Sequence, residues 1–245
     1  MQKQRGLFFI AAMLVILSAA IYALHYTIFH DAHHILLYLV GDLAFLPLEV
    51  LLVGIVVERI MSKRENDEKV QKLNMVVGAF FSEIGHRMSA MFLDSTTDKE
   101  KIIENLNATA LWQSPEYKKA KAFAQNTTEI SFDKIDLDAL KLFLISKRPF
   151  MLTLIENPNL LEHERFTDLL LSSFHLTEEL ESRPSLNNLP TKDIAHINGD
   201  IKRAFQHLVI EWLDYMQHLK SNYPFLYSHY LRIHPFQAHP SAVIE

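Results

Sequence analysis

The chain has 245 residues, no cysteine and a formal net charge of −5. The absence of thiols excludes disulfides, thiolate metal sites and cysteine nucleophiles, and the acidic balance argues against a nucleic-acid partner, which requires a concentrated basic surface. Because the chain has only six glycines and long Leu-, Ile-, Lys- and Glu-rich stretches, the sequence predicts an all-α fold: a two-helix transmembrane hairpin followed by a cytoplasmic helical bundle.

The hairpin is predicted for residues 1–64, with hydrophobic helices over about residues 7–29 and 35–60. Each apolar run is long enough to cross a hydrocarbon core about 30 Å thick, at about 1.5 Å per residue. A cleaved signal peptide is the alternative for the first run, because Lys3 and Arg5 precede it and Ser18 and Ala20 match a small-residue cleavage pattern. The apolar run continues beyond Ala20, which favours a membrane span.

The basic residues near the two runs predict the orientation. Lys3 and Arg5 precede the first run, and the connector has no lysine or arginine. The residues that follow the second run include Arg59, Lys63, Arg64, Lys69 and Lys72. By the positive-inside rule, both termini lie in the cytoplasm and the connector lies outside the plasma (inner) membrane.

Two carboxylates interrupt the second apolar run. Asp42 and Glu49 are seven residues apart and therefore share one helix face. In a tight hairpin Asp42 is level with the hydroxyl of Tyr22, whereas Glu49 faces only apolar residues of the first helix. Since ionisable groups are costly inside a bilayer, Glu49 requires either a water-filled pore or a hydrogen bond from another subunit. Both alternatives predict a homo-oligomer.

The connector between the runs is rich in histidine. Its candidate metal ligands or pH-sensing groups are His25, His30, Asp31, His33 and His34. Their spacing matches no defined metal motif, so a polar turn at the membrane interface is the simpler interpretation.

Residues 65–94 are predicted to form a helical connector. Val70, Leu73, Val77, Phe80 and Ile84 recur at alternating spacings of three and four residues. This pattern fits a short coiled coil, and it equally fits an amphipathic helix packed against its own domain.

Residues 95–245 are predicted to form the cytoplasmic helical domain, with helices over residues 98–106, 115–125, 137–146, 160–181 and 191–221. The last helix carries an almost unbroken apolar stripe that is typical of a core helix in a bundle. The stripe consists of Ile194, Ile197, Ile201, Phe205, Leu208, Trp212, Tyr215 and Leu219.

Beside that stripe, His207, Glu211, Asp214 and His218 follow at spacings of four, three and four and share a neighbouring helix face. They form a candidate metal site, for which a solvated polar face is the more ordinary interpretation. His175 with Glu178 and Glu179 is a similar grouping elsewhere. No phosphate-binding loop, zincin motif or nucleophile elbow is present, and the sequence identifies no cofactor.

Three functions follow from these features. The first is an oligomeric cation channel or ion pathway, lined by Asp42 and Glu49 and gated or assembled by the cytoplasmic domain. The second is a membrane-anchored sensor or scaffold without transport. The third, a metal-dependent helical-bundle enzyme, is the least favoured because no catalytic motif supports it.

Overall fold

The structure is a computed structural model that describes residues 2–126, 132, 134–157, 160 and 163–243, with the backbone alone for residues 2–7, 67 and 68. Every regular element in these residues is helical, which confirms the predicted all-α class. The α-helices are α1 (Gln2–Phe29), α2 (Ala32–Phe80), α3 (His86–Ser95), α4 (Lys99–Leu106), α5 (Ser114–Gln125), α6 (Leu137–Ile155), α7 (Glu164–Glu181), α8 (Thr191–Asn222) and α9 (Pro224–Ile233).

The chain divides into two compact units, one extending to Asn66 and the other beginning at Asp67. The first unit contains α1 and the larger part of α2. From Phe8 to Met61 every large apolar side chain except Ile35 is more than 40 % exposed. Two stretches are long and apolar enough to cross a membrane, Phe8–Phe29 and a second that begins at Ala32, each with a mean hydropathy of 2.2.

The second unit is built around α8, which packs against α3, α5, α7 and α9, while α6 packs on the outer side of α7. The predicted apolar stripe of α8 is buried in this core from Ile197 to Leu219, whereas Ile194 at its start is 45 % exposed. The indole of Trp212 lies in an aromatic cluster, 5.2 Å between ring centroids from both Phe81 and His86.

The connector residues pack into this same core. Leu73, Val77, Phe80 and Ile84 are buried within the second unit, so the structure shows an amphipathic helix packed on its own domain. A π-helical turn over Phe81–Gly85 follows α2. In a regular α-helix, consecutive side chains point in directions about 100° apart. The consecutive side chains of Phe80 and Phe81, at the start of the π-helical turn, are nevertheless both buried.

Several helix boundaries differ from the predicted ones. α6 continues through Pro149 to Ile155 instead of ending at Ser146. α9, which the predicted helices do not include, begins at Pro224. Proline is favoured in the first turn of a helix, where an N–H has no intrahelical partner. α7 begins at Glu164, and residues 161 and 162 of its predicted start lie outside the described residues.

Candidate metal centre

A stripe of polar side chains runs along the contact between α7 and α8. Arg165 Nη1 lies 2.6 Å from Asp214 Oδ2 at one end, and His196 Nε2 lies 3.5 Å from Glu179 Oε2 at the other. Because the partners on α8 descend in number as those on α7 ascend, the two helices are antiparallel. The stripe lies along the contact with a neighbouring helix, so side chains of α7 and α8 pair across it although several of them are also exposed.

Four side chains at one end of this stripe converge on a point. His175 and Glu179 are four residues apart on α7, and His196 and Asp200 are four apart on α8, so each pair lies on one face of its helix. One ligand atom from each residue lies within 4.8 Å of the other three. Within the described part of the chain, only this group brings three or more such ligands together.

Asp200 is the most informative member of the group because it is only 2 % exposed. Its Oδ1 accepts a hydrogen bond of 2.9 Å from Arg203 Nη1. Its Oδ2 has no hydrogen-bond partner among the described residues, yet the Nε2 atoms of His175 and His196 lie 3.5 and 3.4 Å from it. A buried carboxylate oxygen without a partner is costly, and a cation among these three atoms would compensate it.

Arg183 fixes the second carboxylate of the group. Its Nη1 donates to Glu179 Oε2 over 2.7 Å, and its Nε donates to Asp193 Oδ2 over 3.0 Å. The hydrogen bond from Arg183 is the main reason that the pKa of Glu179 lies below its usual value, and the same guanidinium lowers the pKa of Asp193. Both carboxylates therefore stay ionised, and the end of α7 is tied to the start of α8.

The spacing of the four side chains suits a metal ion. Ligand atoms about 2.1 Å from a tetrahedral zinc ion lie roughly 3.4 Å from one another. Asp200 Oδ2 lies 3.5 and 3.4 Å from the Nε2 atoms of His175 and His196. Glu179 approaches the same two nitrogens through different oxygens, Oε1 at 3.9 Å and Oε2 at 3.5 Å. Two imidazoles with two carboxylates form a mixed nitrogen and oxygen set that suits Zn²⁺, Fe²⁺ or Mn²⁺ better than Mg²⁺ or Ca²⁺, which prefer oxygen alone.

One side of the group remains open to solvent. The side chains of His175 and His196 are 44 % and 53 % exposed, whereas that of Asp200 is 3 % exposed. A metal held here would therefore have Asp200 on the protein side and its imidazoles toward water. An accessible face of this kind is the feature that separates reactive or exchangeable metal sites from closed structural ones.

The structure places the predicted metal ligands of α8 in separate environments, and no three of the four have ligand atoms within 4.8 Å of one another. Asp214 forms ion pairs with Lys121 and Arg165. His218 Nδ1 lies 3.2 Å from the amide nitrogens of both Asn74 and Asn222. Burial lowers the pKa of His207 and raises the pKa of Glu211 to about 8. These residues continue the polar stripe away from the metal-binding end.

In the histidine-rich connector, Asp31 interacts with the first turn of α2. Asp31 Oδ1 accepts a hydrogen bond of 3.0 Å from the backbone N–H of His34, and this bond lowers the pKa of Asp31. The rings of His25 and His34 stack with centroids 6.0 Å apart, while His30 has a positive φ of 52°. His33 is exposed.

The carboxylates of α2 are exposed in the single chain. Asp42 and Glu49 lie on the surface of α2, and Tyr22 on α1 is 41 % exposed. No hydrogen bond or ion pair reaches Asp42 or Glu49 from the described residues. The structure therefore shows two unpartnered carboxylates on an otherwise apolar helix segment.

The sequence pattern missed half of the converging group. His175 and Glu179 were noted only as one polar grouping among several, and His196 and Asp200 were not noted. The available signal was a repeated His-x-x-x-acid spacing in two consecutive helices joined by residues 182–190. Two such pairs on antiparallel helices meet only if their faces oppose each other, which the sequence does not specify.

The fold and the site define an all-α protein with an apolar helical N-terminal unit and a C-terminal helical domain that carries a His/carboxylate cluster. The chain belongs to the MJ1433 family: residues 2–61 match the model described as "MJ1433, N-terminal helical domain", and residues 69–232 match that of "Uncharacterized protein MJ1433, C-terminal helical domain". It is 43 % identical over 246 residues to the "Uncharacterized protein MJ1433" of Methanocaldococcus jannaschii, covering 100 % of this chain and 98 % of the relative. No solved structure matches the chain significantly.

Proposed function

We propose that this protein is a membrane-anchored, metal-responsive protein whose C-terminal domain binds one divalent transition-metal ion between α7 and α8. The observation that carries the proposal is the buried Asp200 Oδ2, which has no hydrogen-bond partner among the described residues and lies 3.5 and 3.4 Å from two imidazole nitrogens. Metal binding is the chemistry that this arrangement of ligands favours most.

The membrane anchor is supported by exposure and length. The large apolar side chains of the first unit stay exposed within the chain, and its two apolar stretches have the length of membrane spans. Lipid would remove this surface from water. With the basic residues at both flanks of the hairpin, the positive-inside rule puts the C-terminal domain in the cytoplasm.

The metal would act by joining two helices. Its ligands come in equal number from α7 and α8. Arg203 holds Asp200 Oδ1, the oxygen that does not face the imidazoles, and Arg183 holds Glu179 through Oε2. Occupancy would therefore stabilise the contact between α7 and α8, whereas an empty site leaves Asp200 uncompensated. A change in metal concentration thus alters the stability of the central helix pair, which is what a metal-responsive protein requires.

Metal titration of the full chain in detergent tests this proposal. After chelator treatment, Zn²⁺, Mn²⁺ or Fe²⁺ should bind with a stoichiometry of one per chain, measured by elemental analysis after dialysis. Saturation to 100 times the dissociation constant should stabilise the folded state by about 2.7 kcal/mol. Asp200→Asn should abolish both effects.

Glu178→Gln is the matched control because Glu178 adjoins Glu179 but faces Arg148, 3.7 Å away. This variant should bind metal like the unmodified chain. Equal metal binding by Asp200→Asn and the unmodified chain would refute the proposed centre, as would the absence of metal from both.

A second candidate function rests on a separate observation, the exposed Asp42 and Glu49 on the apolar part of α2. Carboxylates at such positions are costly when they face lipid, and a second copy of the chain would supply either partners or a shared aqueous path. We propose on this basis a homo-oligomer with a cation pathway, which is compatible with metal binding in the C-terminal domain.

Two substitutions at Glu49 separate a pore from a structural contact. Glu49→Gln keeps the shape but removes the charge, so it should reduce cation flux in liposomes while the oligomer mass in nanodiscs stays unchanged. If Glu49 is instead a neutral hydrogen-bond donor between helices, Glu49→Gln should be silent and Glu49→Leu should weaken assembly. No flux in any of the three proteins would reject the pathway.

A further inference from the structure

The charges around the proposed metal centre leave one guanidinium without a carboxylate of its own. Glu179 and Asp200 together would neutralise a divalent cation, and Asp193 offsets Arg183 through two short contacts. The guanidinium of Arg203 is then the one charge of this group that is not neutralised. Its only hydrogen-bonded partner in the described part of the chain is Asp200, a carboxylate that the metal would share.

Arg203 is also accessible, with a side chain that is 55 % exposed. A guanidinium carries several N–H donors in a planar fork, and only Nη1 is engaged here. The imidazoles of His175 and His196 are similarly exposed. Asp200 would thus contact both the metal, through Oδ2, and Arg203, through Oδ1. The unused donors of Arg203 therefore lie close to the metal.

From this arrangement we infer that the metal centre binds a phosphate group as an exogenous ligand, with one oxygen on the metal and another accepting hydrogen bonds from Arg203. This inference rests on the proposed metal binding. Phosphate fits because it offers several oxygens for two cationic partners at once, and Arg pairs with it through parallel N–H donors. The group would belong either to inorganic phosphate or to a phosphate ester.

The ligand also fits the charge of the site. A neutral metal centre beside one uncompensated guanidinium has a net charge of +1, which attracts an anion and disfavours a cationic ligand. Arg183 does not take this role, because its guanidinium already bridges Glu179 and Asp193 and its side chain is only 15 % exposed. Arg183 and Arg203 therefore have different roles, although both contact the same cluster.

Cobalt spectroscopy of the full chain in detergent tests the inference. Co²⁺ replaces the metal, its content is measured by elemental analysis, and inorganic phosphate and glycerol phosphate are titrated in separate arms. The visible cobalt bands depend on coordination number and ligand type, so binding of either probe should change them with saturation. The arm with the lower dissociation constant identifies the source of the phosphate group.

Arg203 also hydrogen-bonds to Asp200, so the comparison is made at cobalt concentrations that load one ion per chain in both proteins. Under these conditions Arg203→Gln should weaken binding of that probe roughly 10- to 100-fold, the effect of losing a hydrogen bond to a charged group. The matched control is Arg165→Gln, an exposed arginine on the same stripe that contacts Asp214 instead; its affinity for the probe should be unchanged. Cobalt bands unaffected by both probes would overturn the phosphate site while leaving metal binding intact. Equal affinity in Arg203→Gln would overturn the assignment of Arg203, and absence of cobalt from the unmodified chain would remove both proposals.

Discussion

The two units of the chain use the same kinds of apolar side chain with opposite results. Phe8, Leu14 and Leu51 in the first unit are more than half exposed, whereas Phe80, Leu208 and Phe205 in the second are fully buried. In α8 the apolar residues form a stripe with polar residues beside it, so one face can bury itself against neighbouring helices. In α1 they surround the helix. The distribution of apolar residues around a helix therefore indicates whether one face or the whole circumference of the helix requires an apolar environment.

The largest expected effect comes from separating the units. Residues 67–245 expressed alone should be soluble and predominantly helical without detergent, because most of their large apolar side chains are buried or partly buried within the unit. Residues 1–66 should require detergent or lipid, since their apolar surface has no protein partner. Far-UV circular dichroism and sedimentation of both fragments, with and without detergent, measure this difference.

A detergent-free, monodisperse fragment of residues 1–66 would contradict the membrane interpretation. Aggregation of residues 67–245 would show instead that the second unit needs the first to fold. The two outcomes are independent, so each unit is tested by its own fragment.

The next largest effect concerns a single core position. Trp212 is 1 % exposed, and its ring contacts Phe81, His86, Tyr230 and His234. Trp212→Ala should lower the free energy of unfolding of the second unit by roughly 3–5 kcal/mol, since truncation of a buried aromatic ring leaves a cavity. Urea denaturation followed by circular dichroism gives the value.

Phe225→Ala is the control for this measurement because Phe225 is also aromatic but 72 % exposed. It should change the free energy of unfolding by no more than about 0.5 kcal/mol. Similar losses in the two variants would mean that burial does not distinguish these positions.

The sequence predicted those features that depend on one helix at a time. The buried stripe around Trp212 follows from spacing alone, and so does the helical class. The His/carboxylate cluster depends on which face of α7 opposes which face of α8, so the spacing of His196 and Asp200 alone does not place them beside His175 and Glu179. Likewise, the spacing of Leu73 and Val77 fits both a coiled coil and a domain core, and only the tertiary packing distinguishes the two.

The smallest expected effect, taken per pH unit, is a pH dependence that originates at Glu211 in the polar stripe. Glu211 is 3 % exposed, and burial, with a contribution from Asp214, raises its pKa to about 8. The folded state therefore keeps this proton up to about pH 8, whereas the unfolded chain releases it near the ordinary glutamate value of about 4.3. Between these values the folded state binds more protons, so the free energy of unfolding should fall with rising pH by up to about 1.4 kcal/mol per unit from this group.

Glu211→Gln carries no titrating proton and should lose this slope, so its stability relative to the unmodified second unit should increase steadily from about pH 5 to pH 8. Asp138→Asn, at an exposed position of α6, should follow the unmodified protein throughout. Urea denaturation of the three proteins across this range measures the difference, and parallel curves for Glu211→Gln and the unmodified protein would show that Glu211 is ionised in the folded state.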